Sequence, residues 1–422
     1  MRPLTRTPPL TANGGFMCNH IHRRGLLAAA GGVLVGLTQR ALAQGASEQQ
    51  LPPVKPILAA STAQRIAAAA HALIAELRPE LKAKLQFAFN DPERKDWHNF
   101  PNMIHPRKGV RLGEMTDAEK KAAHNLMQAM LSGDGYLKVT GIMFHDEVFN
   151  DSALKAPAPP PPAGGAAPSG PPSSRRFTPE QLAAARNLGN SGGNFGATLY
   201  FVNVFGNVGT KEPWGVQLDG HHLAINLTVI DNREITITPT FLGSEPALIQ
   251  SDTYAGAELF WRETRMALEL RNSLTPDQLK KATLADEVPS DIFTGPERDV
   301  QLNQFQGVSG LLGNQRDLAE WLIEEYIGTA TPEVARGYRE AVRNAGLDKI
   351  HFGWIGPADL SKELYFRIHS PAILIELEKQ RSLQRASGPA NHIHSIMRTP
   401  GNDYGVDWMR QHHLDFDHSH HY

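Results

Sequence analysis

The run Trp214-Gly215-Val216-Gln217-Leu218-Asp219-Gly220-His221-His222-Leu223-Ala224-Ile225-Asn226-Leu227-Thr228-Val229-Ile230 is rich in β-branched and apolar residues. Asp231-Asn232-Arg233-Glu234 follows it, and then Ile235-Thr236-Ile237-Thr238. A long strand run, a polar turn and a shorter segment alternating apolar with polar read as an antiparallel pair whose second member is half-buried. Upstream, residues 197–205 have the same strand texture, and downstream 350–355, 364–369, 372–378 and 392–398 form a second strand group. Helical patterns separate the groups. Residues 61–89 are Ala/Leu-rich, with Ser61 or Thr62 as cap and Pro79 restarting the helix. Thr116-Asp117-Ala118-Glu119 is a capping box that opens a helix ending near Gly133. Further helices are predicted over 255–270, 276–283, 315–327 and 332–345. Helices, strands, helices, strands, without regular βαβ alternation, predict an α+β fold: an antiparallel or mixed sheet flanked by helices in a single large domain.

The composition narrows the function classes. The 422 residues are 41% hydrophobic and 20% charged, with a formal net charge of −2, which suits one large or two ordinary domains and excludes nucleic acid as the main partner. The single cysteine, Cys18, permits neither an intramolecular disulfide nor a thiolate-only zinc site. The 18 histidines are the enriched chemical resource.

Residues 1–43 read as a cleaved export signal, with Met17 as an alternative start. His22-Arg23-Arg24-Gly25-Leu26-Leu27 opens a mildly apolar run to Leu37, and Ala41-Leu42-Ala43 is a small-x-small cleavage pattern before Gln44. The adjacent arginines ahead of a weakly hydrophobic core resemble a twin-arginine signal. The expected partner is therefore the twin-arginine export machinery and the expected location periplasmic or secreted. The apolar run is too short for a membrane anchor, so no stable span is expected after cleavage, and the mature chain would lack cysteine. Residues 44–60 are expected to be a flexible mature N-terminus and 61–411 the single α+β domain. Residues 156–174, nearly all Pro, Ala, Gly and Ser, are expected to be disordered. Residues 412–422 form a His-rich tail of the metal-scavenging kind.

Two histidine pairs stand out between leader and tail. If His221 and His222 lie within a strand, His221 shares a face with Leu223, Ile225 and Leu227, and His222 shares the other with Asn226 and Thr228. His222 is then the better metal ligand, and His221 a core histidine, a supporting donor or a proton carrier. In Asn391-His392-Ile393-His394 the His-x-His spacing on a strand puts both imidazoles on one face, about 6.5–7 Å apart, where they can converge on one ion. Glu376, inside the apolar run 372–377, needs a partner, because a buried carboxylate costs several kcal/mol unless paired or cation-bound. His394 or Arg398 is the simple partner; the sharper reading is a metal set of His222, Glu376, His392 and His394, suited to zinc, iron or manganese. Arg398 and Asp403, flanking Pro400-Gly401-Asn402, read as an ion-paired turn, or as an anion holder and a proton carrier. Trp97, Asn99 and Arg107 read as a packed aromatic loop, with a cleft lining as the alternative.

Trp97-His98-Asn99-Phe100-Pro101, Arg107-Lys108-Gly109, Pro213-Trp214-Gly215, Asp219-Gly220-His221-His222-Leu223, Phe352-Gly353-Trp354 and Asn391-His392-Ile393-His394-Ser395, with Arg398 and Asp403-Tyr404-Gly405, resemble the domain-of-unknown-function family 3500. The resemblance spans the chain from about Ser61 to His412. It implies no catalytic residues and no substrate, since the family is uncharacterised, and it makes the Pro/Ala/Gly stretch an insertion rather than a domain boundary. The expected activity is that of an exported metal-dependent hydrolase acting on an unknown small molecule through one divalent ion. His221 or Asp403 would move the proton and Arg398 hold the developing anion. A metal-dependent oxidoreductase and a non-catalytic periplasmic protein binding a metal or small molecule are the alternatives.

Overall fold

The computed structural model describes residues 55–155, 195–296, 302, 306–382 and 388–415. The leader, the Pro/Ala/Gly insertion and the end of the His-rich tail lie outside the described residues. The first part of the chain forms α1 (Ala60–Glu76), α2 (Pro79–Leu85), β1 (Gln86–Phe87), β2 (Val110–Arg111), α3 (Asp117–Met130) and α4 (Gly133–Lys155). Then come β3 (Phe201–Phe205), β4 (Trp214–Gly220), β5 (Leu223–Ile230), β6 (Glu234–Thr236) and β7 (Thr240–Ser244). The second part forms α5 (Trp261–Asn272), α6 (Pro276–Ala282), α7 (Asn314–Ile327) and α8 (Pro332–Ala345), followed by β8 (His351–Ile355), β9 (Leu364–Ser370), β10 (Ile373–Gln380) and β11 (His392–Arg398). A last helix, α9 (Val406–Asp415), carries the chain into the expected tail. The packed chain begins ahead of Ser61: Ile57 and Ala59 are buried, and the Ile57 carbonyl accepts from Ile235 N–H.

The strands make one mixed eleven-stranded sheet in the order β1-β3-β4-β5-β7-β11-β10-β9-β8, with β2 beside β3 and β6 beside β5. The fold is α+β, as the strand and helix texture predicts. From β3 to β8 the order is palindromic about the β7–β11 seam, and the chain runs through the same succession twice. The registers Phe201↔Asp219 and Gly220↔Leu223 recur as His351↔His369 and Ser370↔Ile373. Even the small pairings recur: β1 lies parallel to β3 as Thr283 does to Trp354, and Val110↔Val202 is matched by Val308↔Phe352. α2 and α6 both open on a proline followed by an acid, Pro79-Glu80 and Pro276-Asp277.

The two faces of the sheet differ in chemistry. One carries Val202, Val204, Val216, Leu218, Ile225, Leu227, Ile375, Leu377 and Ile393, which join helix residues such as Ile66, Leu126 and Leu322 in the main core. The other carries Asn203, Gln217, Asp219, Asn226, Arg367, Glu376, Glu378, His392, His394 and Arg398, all buried. A smaller cluster covers part of this polar face: Trp97 from the loop before β2 and Ile292 from the loop after α6 pack on Ala224, Phe241, Ile396 and Tyr404. A buried polar layer thus lies between sheet and loops.

The capping box at Thr116 forms as expected, and it is extended by tertiary contacts. Glu119 accepts from Thr116 N–H, from Arg78 N–H and from Arg78 Nε. Burial pushes the Glu119 carboxyl up, but these hydrogen bonds outweigh it and hold the group down at about 2, against 4.5 ordinarily. Because the folded value lies below the unfolded one, this stabilisation is present above about pH 4.5 and is lost as the pH falls toward about 2. Glu119→Gln is expected to lower the urea midpoint at neutral pH and to flatten its fall over that acid window. By contrast Ser61 and Thr62 do not cap α1; both hydroxyls donate to Glu333 of α8.

Candidate metal centre

His221 and His222 are not within a strand. With Gly220 paired to Leu223 they form the two-residue turn of the β4–β5 hairpin, so the expected placement on opposite strand faces does not hold. Such a turn needs a residue at positive φ, normally Gly or Asn, and here His222 takes it at φ 103°. Strain of that kind, on the order of 1–3 kcal/mol, persists where the surroundings over-determine the conformation. The Gly243 N–H donates to the His222 carbonyl at 2.7 Å. Arg107 holds the turn from the other side through the Gly220 carbonyl at 3.0 Å and an ion pair with buried Asp219 at 2.9 Å.

The turn delivers His222 to β11. Its Nε2 lies 2.9 Å from His392 Nε2 and 3.3 Å from His394 Nε2, and all three side chains are buried. With metal–nitrogen bonds of about 2.0–2.1 Å, neighbouring ligand nitrogens lie about 3.3 Å apart on a tetrahedron and about 2.9 Å apart on an octahedron. The observed spacings fall in that range. Gly243 of β7 makes the approach possible: it pairs with His394, and a Cβ there would sit 3.2 Å from His222 Cδ2, 3.4 Å from His394 Cδ2 and 2.6 Å from the Ile393 carbonyl oxygen. Gly243→Ala is expected to weaken metal binding at least about tenfold, since coordination geometry tolerates little displacement. Competition against a chromophoric chelator measures it.

The far side of each strand histidine faces a carboxylate. His392 Nδ1 lies 3.3 Å from Glu245 Oε2, and His394 Nδ1 lies 2.8 Å from Asp291 Oδ1. A carboxylate accepts only, so these contacts suit the tautomer with the proton on Nδ1, which would leave each Nε2 lone pair facing the common point. Burial, and then His221, His392 and His394 close by, holds His222 well below the usual imidazole value, leaving it neutral as a ligand must be. Asn99 Nδ2 stands 3.2 Å from His394 Nδ1 and 3.3 Å from Asp291 Oδ2. His221 is a neighbour rather than a member: its ring stacks on His222 at 3.8 Å, and its Nδ1 lies 2.6 Å from Asp146 Oδ1 of α4.

Three expected residues stand elsewhere. Glu376 does not join the histidines; it faces Arg367 at 3.9 Å and accepts from the Thr294 N–H at 3.0 Å, so its partner is neither His394 nor Arg398. The carboxylate opposite His394 in register is Glu378, and with Asp291 it forms a second close group around that ring. Arg398 is four positions along β11 from His394, roughly 13 Å at strand rise. It donates to Asp403 and to the carbonyls of Thr294 and Gly295, and so ties the loop after α6 to the sheet. Arg398 and Asp403 are thus a structural ion pair, not an anion holder and a proton carrier beside the histidines. Burial raises the Asp403 carboxyl despite the Arg398 charge. Trp97 packs in the small core and donates to Tyr404, whereas Asn99, from the same loop, reaches the site.

The buried group of His222, His392 and His394 could therefore hold a metal ion. Among the described residues the repeat does not supply a second such group: Pro371 and Ala372 occupy the matching turn, between Ser370 and Ile373.

The family model for proteins of unknown function DUF3500 matches residues 59–406. The chain belongs to that family. The matched span contains every residue of the histidine group and its carboxylate partners, and it ends just after the Arg398–Asp403 pair. No match was found among curated proteins or among solved structures. Among the described residues no helix is long and apolar enough to cross a membrane.

Proposed function

We propose that this protein is a metal-dependent hydrolase, exported through the twin-arginine machinery to the periplasm or beyond. His222, His392 and His394 are the ligands of one divalent ion in this reading, with zinc, iron or manganese as the candidates. The convergence of three imidazole Nε2 atoms, two of them with Nδ1 against a carboxylate, carries the reading. Three neutral ligands would leave the full charge of the ion available, and such an ion would supply the acidification of a water and the polarisation of a carbonyl or phosphoryl oxygen. The residues of the chain then have separable tasks. Glu245 and Asp291 fix the tautomers of His392 and His394, Asn99 donates to Asp291, and Glu378, opposite His394 in register, is the candidate to take a proton. Export rests on the leader sequence alone.

The test compares chelator-treated protein with protein reloaded with about one equivalent of zinc or manganese, on chromogenic carboxylic esters, amides and phosphate esters. The reloaded form is expected to hydrolyse one of these classes at least about 100-fold faster, the usual range for a positioned acid–base contribution alone. Equal rates for both forms on all three classes would reject hydrolysis. Retained metal would then leave a protein that holds an ion without turnover, the second reading, which the near-complete burial of all three imidazoles favours.

A further inference from the structure

A cleft of about 710 Å³ opens beside the histidine group, within the size range of small-molecule sites. The second half of α4 and the segment after β7 form most of its wall. Two lining residues tie it to the metal centre: Glu245, whose carboxylate faces His392 Nδ1, and Asn391, the residue before His392. Asn391 is itself fixed, accepting from the Leu248 N–H at 2.7 Å and donating to the Leu248 carbonyl at 2.9 Å.

The lining has a marked charge. Glu147, Asp151, Glu245 and Asp252 contribute four carboxylates, and no described lining residue is Lys, Arg or His. Acids gathered round a concave, low-dielectric wall focus a negative potential into it. Anions are repelled there, and neutral polar ligands gain nothing from the field. The carboxylates are not a hard-metal site, because among the described residues the groups of three close ligand atoms all involve His394. Aromatic rings stand among them instead. Phe144 and Tyr254 meet edge to face at 4.7 Å and 76°, and Phe149 lines the same cleft. Ring faces attract soft, weakly hydrated cations, and carboxylates supply the counter-charge.

We propose that this cleft is the substrate subsite and that it takes an organic cation, an amine or quaternary ammonium with an apolar portion. The assignment of a substrate rests on the histidine group being the reactive centre; the binding chemistry of the cleft does not. The probes are choline and its uncharged isostere 3,3-dimethyl-1-butanol, titrated calorimetrically into the zinc-loaded full chain. Choline is expected to bind at least about tenfold more tightly than the isostere, and to weaken as salt rises from about 50 mM to about 500 mM. Asp151→Asn with Asp252→Asn, both exposed positions, is expected to lower choline affinity about tenfold with zinc content unchanged. Tyr254→Ala, at another exposed position, is expected to lower it several-fold. Equal affinity for the two probes, no choline binding at about 10 mM, or unchanged affinity in the double variant would each overturn the proposal. Zinc content in the same samples separates the two ideas. Zinc held without choline preference removes the subsite alone, and choline preference without zinc removes the metal centre alone.

Discussion

Arg107→Ala is expected to destabilise the protein by about 3–5 kcal/mol, the usual loss when one partner of a buried ion pair is removed, and by more at about pH 8 than at about pH 5. The Arg107 and Asp219 side chains are 1% and 3% exposed, so the exchange leaves a carboxylate with neither its counter-charge nor bulk water. Burial already pushes the Asp219 carboxyl up to about 6 from 3.8, against the pull of Arg107. A folded value above the unfolded one means that the ionised group favours folding less and less as the pH rises from about 4 through 6. Without the guanidinium the folded value rises further. At about pH 5 the folded variant then takes up a proton and avoids most of the penalty, whereas at about pH 8 it bears all of it. Urea midpoints at the two pH values give the comparison. A loss that is the same at both would mean that Asp219 is not its source. Arg107 also donates to the carbonyls of His98 and Gly220, so the turn carrying His222 loses its outer support and metal affinity should fall with stability.

The second large effect belongs to the site itself. His392→Ala with His394→Ala is expected to abolish binding of the ion, because one remaining imidazole at the end of a hairpin cannot hold it against water. A ligand in thousandfold excess over its dissociation constant stabilises the folded state by about 4 kcal/mol. Zinc should therefore raise the wild-type Tm by several degrees and leave the double variant unmoved. Unfolding in chelator isolates the protein contribution. There the variant also loses stability of its own, because Glu245 and Asp291 no longer face a histidine and two buried rings are removed, so the comparison rests on the zinc-dependent rise and not on the absolute Tm. A zinc-dependent rise of equal size in both proteins would place the binding elsewhere, in the tail for instance.

The fold was legible where local chemistry and tertiary structure agree. The capping box at Thr116, the prolines that open α2, α6 and α8, and the alternation along Ile235–Thr238 each carry their own physical cause. The β4–β5 turn was not legible, because its positive-φ position is held by a histidine instead of the glycine or asparagine that signals a two-residue hairpin. β7 escaped notice for a different reason: Thr240–Ser244 is short, and Pro239 and Pro246 flank it closely. Yet β7 is the strand through which His222 meets β11.

Within the site, the His392/His394 pair followed directly from strand alternation, and His222 does come to the polar face. The choice between Glu376 and Glu378 could not follow, since both point to that face and only the register of β10 on β11 sets Glu378 against His394. Glu245, Asp291 and Asp146 come from loops and a helix far away in sequence, where no spacing rule links them to a histidine. Asn99 did leave a signal, as the polar member of the aromatic loop Trp97–Pro101. The repeated architecture left few traces, the paired Pro-acid helix starts and the equivalent positive-φ glycines Gly206 and Gly356, because the two halves keep their registers while exchanging most side chains. At equivalent places Gln217 meets Asn226 in one half, and Arg367 meets Glu376 in the other.

X-ray absorption at the zinc edge, on protein loaded with one equivalent and compared with the His392→Ala/His394→Ala variant, tests the central claim most directly. Three imidazole nitrogens at about 2.0–2.1 Å in the wild-type protein, absent from the variant, are the expected result. Failure to retain one equivalent through gel filtration, or the same coordination shell in both proteins, would contradict it.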